Sequence, residues 1–358
     1  MKKTKVLLLQ GSLMRYRVPC WNILAKEYDF TIGYYDRDET EKCDCLFKKV
    51  KFEVSYVGPL AFVKGIRKYA KSFDVVIVMD DLHVPIFTLI PILPHKYKVL
   101  TWGIGFRVSY TRPYQTQRKH TLLDHVEGFI MKKCDAIIFY MEKAKEFWRN
   151  TSLNMDKVFC APNTTEVLPI EIDPREKINF LFVGSLYRGK GIDRLIYSFA
   201  DAKKQVQSSA KLNIVGGGEM RADLESIVDK MGITSDVNFI GPVYDEKALA
   251  NYFKTALLCI SPSQGGLSCP KSMGYGVPFV TRKDAITGGE IYHMTPGVNG
   301  ILYENDSELT GILSDAITNK ERYLKMGEAA KEYYYNNATP CHMAKGAIEA
   351  IEFVINNK

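Results

Sequence analysis

No stretch of the 358-residue sequence offers the about 18 uninterrupted apolar residues of a spanning helix. The most apolar run, Val84 to Pro94, is short and carries Pro85, Pro91 and Pro94, so a membrane span is excluded. The opening MKKTKVLLLQG imitates a signal peptide briefly, but its apolar run stops at Gln10 and reads better as a first strand. Cysteine is sparse: eight residues are scattered, and the closest pair, Cys43 and Cys45, has no second pair or His-x-x-x-His run to complete a zinc set. Reduced thiols in an intracellular protein are the expectation. Short-period repeats are also missing, which excludes solenoids and propellers. What is present is ordinary globular composition, 46% hydrophobic and 25% charged, incompatible with general disorder or a collagen-like chain. The length favours two domains, each able to bury a core without disulfides.

Charge is unevenly spread. Through Thr165 the chain holds 27 Lys and Arg against 17 Asp and Glu; beyond it the balance is 21 against 24, so +10 and −3 make up the net +7. The basic part suits phosphate or an anionic membrane surface. Short Val, Ile and Leu-rich runs alternate with amphipathic stretches: Lys5 to Gln10, Phe30 to Tyr35, Phe73 to Met79, Tyr97 to Trp102 and Asp135 to Tyr140 read as buried strands. A second series comprises Ile178 to Val183, Lys211 to Val215, Val237 to Ile240, Leu257 to Ser261 and Phe279 to Thr281. This is βαβ logic and predicts parallel sheets covered on both faces. Domains are expected over residues 1–165 and 178–339, with a linker over 166–177 and a terminal helix over 340–358 that needs a surface to cover.

The sharpest motif is FLFVGSLYRGKGIDRLIYSF. A strand ends in Gly184, a loop carries Ser185, Arg188, Gly189, Lys190 and Gly191, and a helix begins near Ile192. Free N–H groups, the helix dipole and two cations suit a phosphate there. It is not a Walker loop, lacking Gly-Lys-Ser/Thr, and a plain strand-helix turn with solvated cations is the competing reading. A second strand end places Gly216, Gly217 and Gly218 before a helix; a turn requiring positive φ explains these as well. A third, CISPSQGGLSCPKSMGYGVPFV, has Ser263, Gly265, Gly266 and Leu267 in a loop leading to Lys271.

In order and spacing, these segments together with VNFIGPVYDEKALANYF and PGVNGILYE resemble glycosyltransferase group 1, also called family four, of the GT-B fold. The resemblance spans roughly Ile178 to Tyr303 and extends weakly into QGSLMRYRVP, KVLTWGIGF, CDAIIFY and VFCAPNTTE. It implies an α/β protein of two Rossmann-like domains facing a cleft, the first binding acceptor and the second a nucleotide-diphosphate sugar. It further implies a retaining transfer without bound metal or other cofactor, onto a glycan of cell-surface, lipopolysaccharide or capsule type. Gly184, Ser185, Gly216, Gly218, Val243, Tyr244, Ser263, Gly265, Gly266, Leu267 and Lys271 become donor-binding candidates. Lys190 and Arg188 are placed to meet the leaving diphosphate. Glu290, in ITGGEIYHM where the family has a Pro-Glu pair near the sugar, is the carboxylate for a sugar hydroxyl; a helix N-terminal charge is its structural alternative.

The family's two glutamates, with seven residues between them, fall here on Ser263 and Lys271, and its loop arginine on Ser185. A divergent branch is implied, with a noncatalytic partner subunit as the rival reading. Asp36-Arg37-Asp38 has the spacing of a manganese-binding D-x-D, but an acidic turn after a strand is commoner. Asp80, Asp81 and His83 follow a buried strand and more often cap the next helix. Acceptor candidates at strand ends of the basic half are Gly11, Arg15, Arg17, Trp102, Gly103 and Arg107. SYTRPYQTQRKH is basic and aromatic, yet no nucleic-acid fold signature accompanies it, so no nucleic-acid partner is expected. Pro59 to Lys71 reads as an amphipathic helix with a basic edge, a candidate face, with Tyr110 and Tyr114, for an anionic membrane carrying a lipid-linked acceptor. A cytoplasmic protein, peripheral at the membrane's inner face, is the expectation.

Overall fold

The structure is a computed structural model and describes residues 3–107 and 119–357. These divide into two compact units, one of residues 3–107, 119–165 and 339–357, the other of residues 166–338.

In the first unit a seven-stranded sheet runs in the order β3-β2-β1-β6-β7-β8-β9, all neighbours parallel. The strands are β1 (Lys5–Leu9), β2 (Asp29–Tyr34), β3 (Lys48–Lys51), β6 (Val75–Met79), β7 (Lys98–Gly103), β8 (Ala136–Phe139) and β9 (Val158–Cys160). Strands β4 (Val54–Val57) and β5 (Leu60–Val63) form a separate antiparallel hairpin. The connecting helices are α1 (Val18–Glu27), α2 (Ile66–Ala70), α3 (Pro85–Leu89), α4 (Leu122–Lys133) and α5 (Glu142–Trp148). The hairpin corrects the expectation of one helix over Pro59 to Lys71. The run VSYV-GP-LAFV is β-rich around a Gly58 turn at φ +55, and only the part after Gly65, at φ +80, is helical. Alternate residues of β1 face opposite cores: Val6 and Leu8 pack with Trp21 and Phe30, Leu7 and Leu9 with Val76 and Val99.

In the second unit, β10 (Asn179–Val183), β11 (Leu212–Val215), β12 (Val237–Gly241), β13 (Ala256–Ile260), β15 (Phe279–Arg282) and β17 (Gly300–Tyr303) form a parallel sheet ordered β12-β11-β10-β13-β15-β17. A short parallel pair, β14 (Gln264–Gly265) and β16 (Ile286–Thr287), stands apart. Helices α6 (Ile192–Gln205), α7 (Arg221–Met231), α8 (Glu246–Thr255), α9 (Ser268–Gly274), α10 (Asp306–Thr318) and α11 (Lys320–Asn337) accompany it. Residues 166–177 lie on this unit: Val167 is buried in its core, and Lys177 Nζ donates to the carbonyls of Tyr275 (3.3 Å) and Gly276 (2.8 Å). Each fully buried Leu, Val or Phe of such cores is worth about 1.5–3 kcal/mol.

The chain ends in α12 (Pro340–Asn356), which packs on α1, β7, β8 and β9 of the first unit. Its approach is close: a Cβ on Gly346 would stand 1.9 Å from the Cys160 carbonyl oxygen. Among the described residues no helix is long and apolar enough to cross a membrane.

Candidate functional site

The second unit gathers its loops at the carboxyl ends of β10, β11 and β13, where open α/β sheets bind ligands. After β10 the backbone passes Gly184 (φ +159), makes a 3-10 turn over Arg188–Lys190, and enters α6 through Gly191, whose φ of +66 no other residue type adopts cheaply. No side chain caps α6, so its first N–H groups face the loop.

Two glycines after β11 are required because backbone packs on backbone. A Cβ on Gly216 (φ +145) would meet the Gly184 oxygen at 1.8 Å, and one on Gly218 (φ +157) the Leu186 oxygen at 2.3 Å. The two ends are laced by Leu186 N–H to the Gly217 oxygen (2.9 Å) and Met220 N–H to the Leu186 oxygen (3.0 Å). A cavity of about 250 Å³ adjoins this loop, lined by Tyr187, Arg188, Ile192, Asp193, Met220 and Leu224 among others.

Two residues distant in sequence, Ser263 and Glu290, come to the loop at Gly191 and Lys190. Ser263 N–H donates to the Lys190 carbonyl at 3.3 Å, and a Cβ on Gly191 would stand 2.6 Å from Ser263 Oγ. Burial lowers the Lys190 ammonium below the ordinary lysine range, and the carboxylate of Glu290 opposes that drop. Glu290 is 4% exposed, accepting from Gly288 N–H (2.8 Å) and Thr287 Oγ1 (3.0 Å). Of the other donor candidates, Arg188 and Ser185 are exposed, Tyr244 is exposed and Val243 half-buried, and Gly265 is buried against Ile291. A Cβ on Gly266 would meet nothing within 4 Å, and Leu267 opens α9.

Lys271 is buried, and its ammonium is paired with Glu246 at the start of α8. Sequence reasoning did not single out Glu246; the available signal was an acidic residue one position after the Asp245 cap in VYDEKAL. It also missed Tyr187, whose hydroxyl donates to Gln264 Oε1 at 2.5 Å and so ties the loop after β10 to β14.

In the first unit the acceptor candidates follow β1 and β7. Arg15 is exposed, Arg17 and Trp102 are buried, and Gly11 lies against the Tyr35 hydroxyl. Gly103 leaves room for Asp80, whose Cβ would lie 2.4 Å from an added Cβ. Desolvation, then the charge of Asp81, pushes the Asp80 carboxyl up to about 6. Arg107 is committed to α4: its Nε lies 3.4 Å from Asp124 and 3.9 Å from Glu127, and Nη2 donates to Thr121. Asp36 accepts from Ser12, while Asp38 accepts from Thr40 and Lys49, so the two carboxylates have separate partners. Among the described residues no group of three His, Cys, Asp or Glu side chains converges. Tyr110, Tyr114 and most of SYTRPYQTQRKH lie outside the described residues.

Comparison with known proteins agrees with this architecture. Residues 163–333 match the family described as glycosyl transferases group 1. An uncharacterized glycosyltransferase of Haemophilus influenzae is 25% identical over 288 residues, 76% of this chain and 75% of that one. The lipopolysaccharide glucosyltransferase WaaG of Escherichia coli is 25% identical over 48% of this chain and 46% of its own. The crystal structure of Anabaena HepE in complex with UDP superposes with a TM-score of 0.71 at 13% identity, covering 98% of this chain and all of that one, which shows a shared fold.

Proposed function

Starting from a chain whose residues 163–333 make it a group 1 glycosyltransferase of GT-B fold, we propose that it moves a hexose or related sugar from a nucleotide-diphosphate donor to a glycan acceptor carried on a lipid. The observation that carries this reading is the convergence of Lys190, Ser263 and Glu290 on the glycine-built strand ends of the second unit. Breaking the sugar–phosphate bond puts negative charge on the leaving diphosphate. Donors fixed beforehand stabilise that charge without reorganisation, and here they are the Lys190 ammonium, the Arg188 guanidinium and the N–H groups that open α6. Glu290, held by Thr287 and Gly288, accepts from a sugar hydroxyl and orients the ring. This is a retaining transfer that needs no resident metal. The UDP bound by HepE in its crystal structure supports a nucleotide donor, and the lipopolysaccharide substrate of WaaG supports a cell-surface acceptor.

The membrane reading draws on α4, which is inside out. Its Asp124 and Glu127 are buried beside Arg107, while Leu122, Leu123, Val126 and Phe129 are exposed. Lys132 and Lys133 follow them, the latter 5.5 Å over the Phe129 ring. An exposed apolar stripe ending in cations suits the interface of an anionic leaflet, and we assign peripheral docking at the inner face of the membrane to this helix instead of Pro59 to Lys71.

Calorimetric titration with UDP and GDP in the presence of EDTA tests the donor site. Binding of one of them supports metal-free recognition; binding that appears only on adding manganese overturns it. Release of sugar from a nucleotide sugar, to acceptor or to water, separates an enzyme from the alternative of a noncatalytic scaffold lacking the two glutamates.

A further inference from the structure

Arg17 and Arg107 are both folded into the first unit, but their surroundings differ. Arg107 sits beside two carboxylates. Arg17 is 8% exposed, its Nη1 donates to Met343 Sδ at 2.7 Å, and its Cζ lies 5.2 Å over the Tyr16 ring and 4.9 Å over Tyr140. A thioether and two aromatic faces soften a guanidinium charge without neutralising it. None of these partners is a carboxylate, and a buried charge kept without a counter-ion is a costly arrangement for a fold.

Two more donors near that end of the sheet lack acceptors. Trp102, 2% exposed, has no acceptor for its indole N–H, and its ring lies 6.4 Å from that of Tyr140, the same ring that Arg17 covers. The buried side-chain nitrogen of Gln10, just past β1, is likewise without an acceptor. Strands β1 and β7 flank β6, so both residues stand at the carboxyl edge of the sheet on strands one apart, where ligands of such sheets bind. Buried donors are nearly always satisfied, and an indole N–H and an amide N–H without acceptors beside a guanidinium that has no carboxylate partner are the complement of an oxyanion.

We propose that Arg17, Trp102 and Gln10 form an oxyanion subsite that holds a phosphate group of the acceptor. The proposal rests on the reading of this unit as acceptor-binding and deepens it: the acceptor is phosphorylated, as a sugar phosphate or a lipid-linked phosphate is. Asp80 is kept away from the anion by geometry, since it stands on the other face of the sheet with Gly103 while Trp102 packs with Trp21 and Leu100. The Met343 contact also ties α12 to the subsite, so the terminal helix fixes the guanidinium from behind.

The test uses full-length protein labelled with nitrogen-15 at its three tryptophans. Inorganic phosphate and a sugar 1-phosphate are titrated separately, with sodium chloride at equal ionic strength as the control. The Trp102 indole resonance, identified by its loss in Trp102→Phe, is expected to move saturably with phosphate and not with chloride. The sugar phosphate should saturate at a concentration at least tenfold lower than inorganic phosphate. Arg17→Gln should abolish saturation while the Trp21 and Trp148 resonances stay in place, and Arg17→Lys should retain weakened binding. A Trp102 resonance indifferent to phosphate, or one that responds equally in Arg17→Gln, overturns the subsite; equal affinity for the two phosphates overturns its assignment to the acceptor. Should Arg17→Gln fail to fold, the phosphate-dependent rise in Tm takes its place: it should be smaller in Trp102→Phe than in the parent, and an unchanged rise counts against the proposal. UDP calorimetry on the same samples keeps the two readings apart. Intact UDP binding with a silent Trp102 sinks the subsite alone, whereas a Trp102 response in a protein that transfers no sugar supports the subsite and sinks the proposed function.

Discussion

The two units place their candidate sites at the same kind of sheet edge but build them from different material. In the second unit the site is backbone: Gly216 and Gly218 lie so close to the backbone of Gly184 and Leu186 that no Cβ fits, and Gly191 turns the chain into α6. In the first it is side chains drawn from α12, from the turn before α1 and from the ends of β1, β7 and β8: Met343, Arg17, Gln10, Trp102 and Tyr140. A site made of backbone demands glycine at fixed spacings and therefore writes short motifs; a site made of distant side chains leaves no spacing to read.

Breaking the backbone site should have the largest effect. Gly216→Ala must move a carbonyl oxygen 1.8 Å from the new carbon at a φ of +145, with only backbone to give way. A loss of about 3 kcal/mol or more is expected in chemical denaturation, since overpacking and backbone strain add. Gly266→Ala meets nothing within 4 Å and should leave stability within about 0.5 kcal/mol. If it nevertheless weakens nucleotide binding, the ligand itself approaches that glycine. Equal stability losses in the two variants would erase the contrast.

Lys190→Ala comes next. Losing a charge-assisted hydrogen bond should weaken UDP or GDP binding by about 1.5–3 kcal/mol, seen by calorimetry, with Tm little changed. Because burial lowers the Lys190 ammonium, diphosphate affinity in the parent should begin to fall at a lower pH than for an exposed lysine. Lys271→Ala breaks the pair with Glu246 and should act on stability by about 1 kcal/mol, the partner being half exposed. An effect of Lys271→Ala on nucleotide affinity as large as that of Lys190→Ala would place Lys271 at the ligand.

The same contrast explains what was legible. The ten strands read from apolar runs all exist, with ends shifted by no more than two residues; all but β12 lie inside the sheets, where both faces are covered and the apolar run is continuous. The overlooked β3, β9 and β17 are all edge strands. β3, KKVK, is nearly all charge on an exposed edge, which protects against unwanted pairing and erases the apolar signal. The glycine loops were legible in the second unit; the Lys271–Glu246 pair and the Arg17 surroundings were not, since both join residues through space.

A third way to sharpen the comparison uses pH. Burial pushes the Lys177 ammonium, the anchor of residues 166–177 on the second unit, down to about 7, with Lys331 adding to the drop. Between pH 7 and the ordinary lysine range the unfolded chain keeps a proton that the folded one has lost, so stability rises with pH. A gain of about 1–2 kcal/mol is expected from pH 7 to 9. The raised thiols, Cys259 among them, begin to oppose this rise as pH approaches their ordinary value of 9, and the raised phenols, Tyr303 among them, oppose it above that, because the unfolded chain deprotonates first. Lys177→Met should flatten the rise in urea titrations across this range; an unaltered slope would assign it to other groups.

The smallest effect per residue belongs to the surface of the first unit. Each lysine near an anionic leaflet contributes about 1 kcal/mol, and the contribution falls off within a Debye length. On α4 the charges stand at the end of an apolar stripe, so two kinds of change separate electrostatic recruitment from insertion. Lys132→Glu with Lys133→Glu should abolish sedimentation with vesicles containing anionic lipid at low salt. Leu122→Ser with Phe129→Ser should leave the salt-dependent encounter and lose the part that survives high salt. Both pairs of residues are on the surface, so Tm should move little, unlike Gly216→Ala. The basic edge at Lys64, Arg67 and Lys68 provides the control: changing these to Glu should alter vesicle binding less than the α4 charges do, because the segment before them is a hairpin strand with no continuous apolar helix face. Vesicle binding that ignores both α4 pairs but collapses with the Lys64 group would return the docking face to residues 59–71 and leave the exposed stripe of α4 for a partner protein.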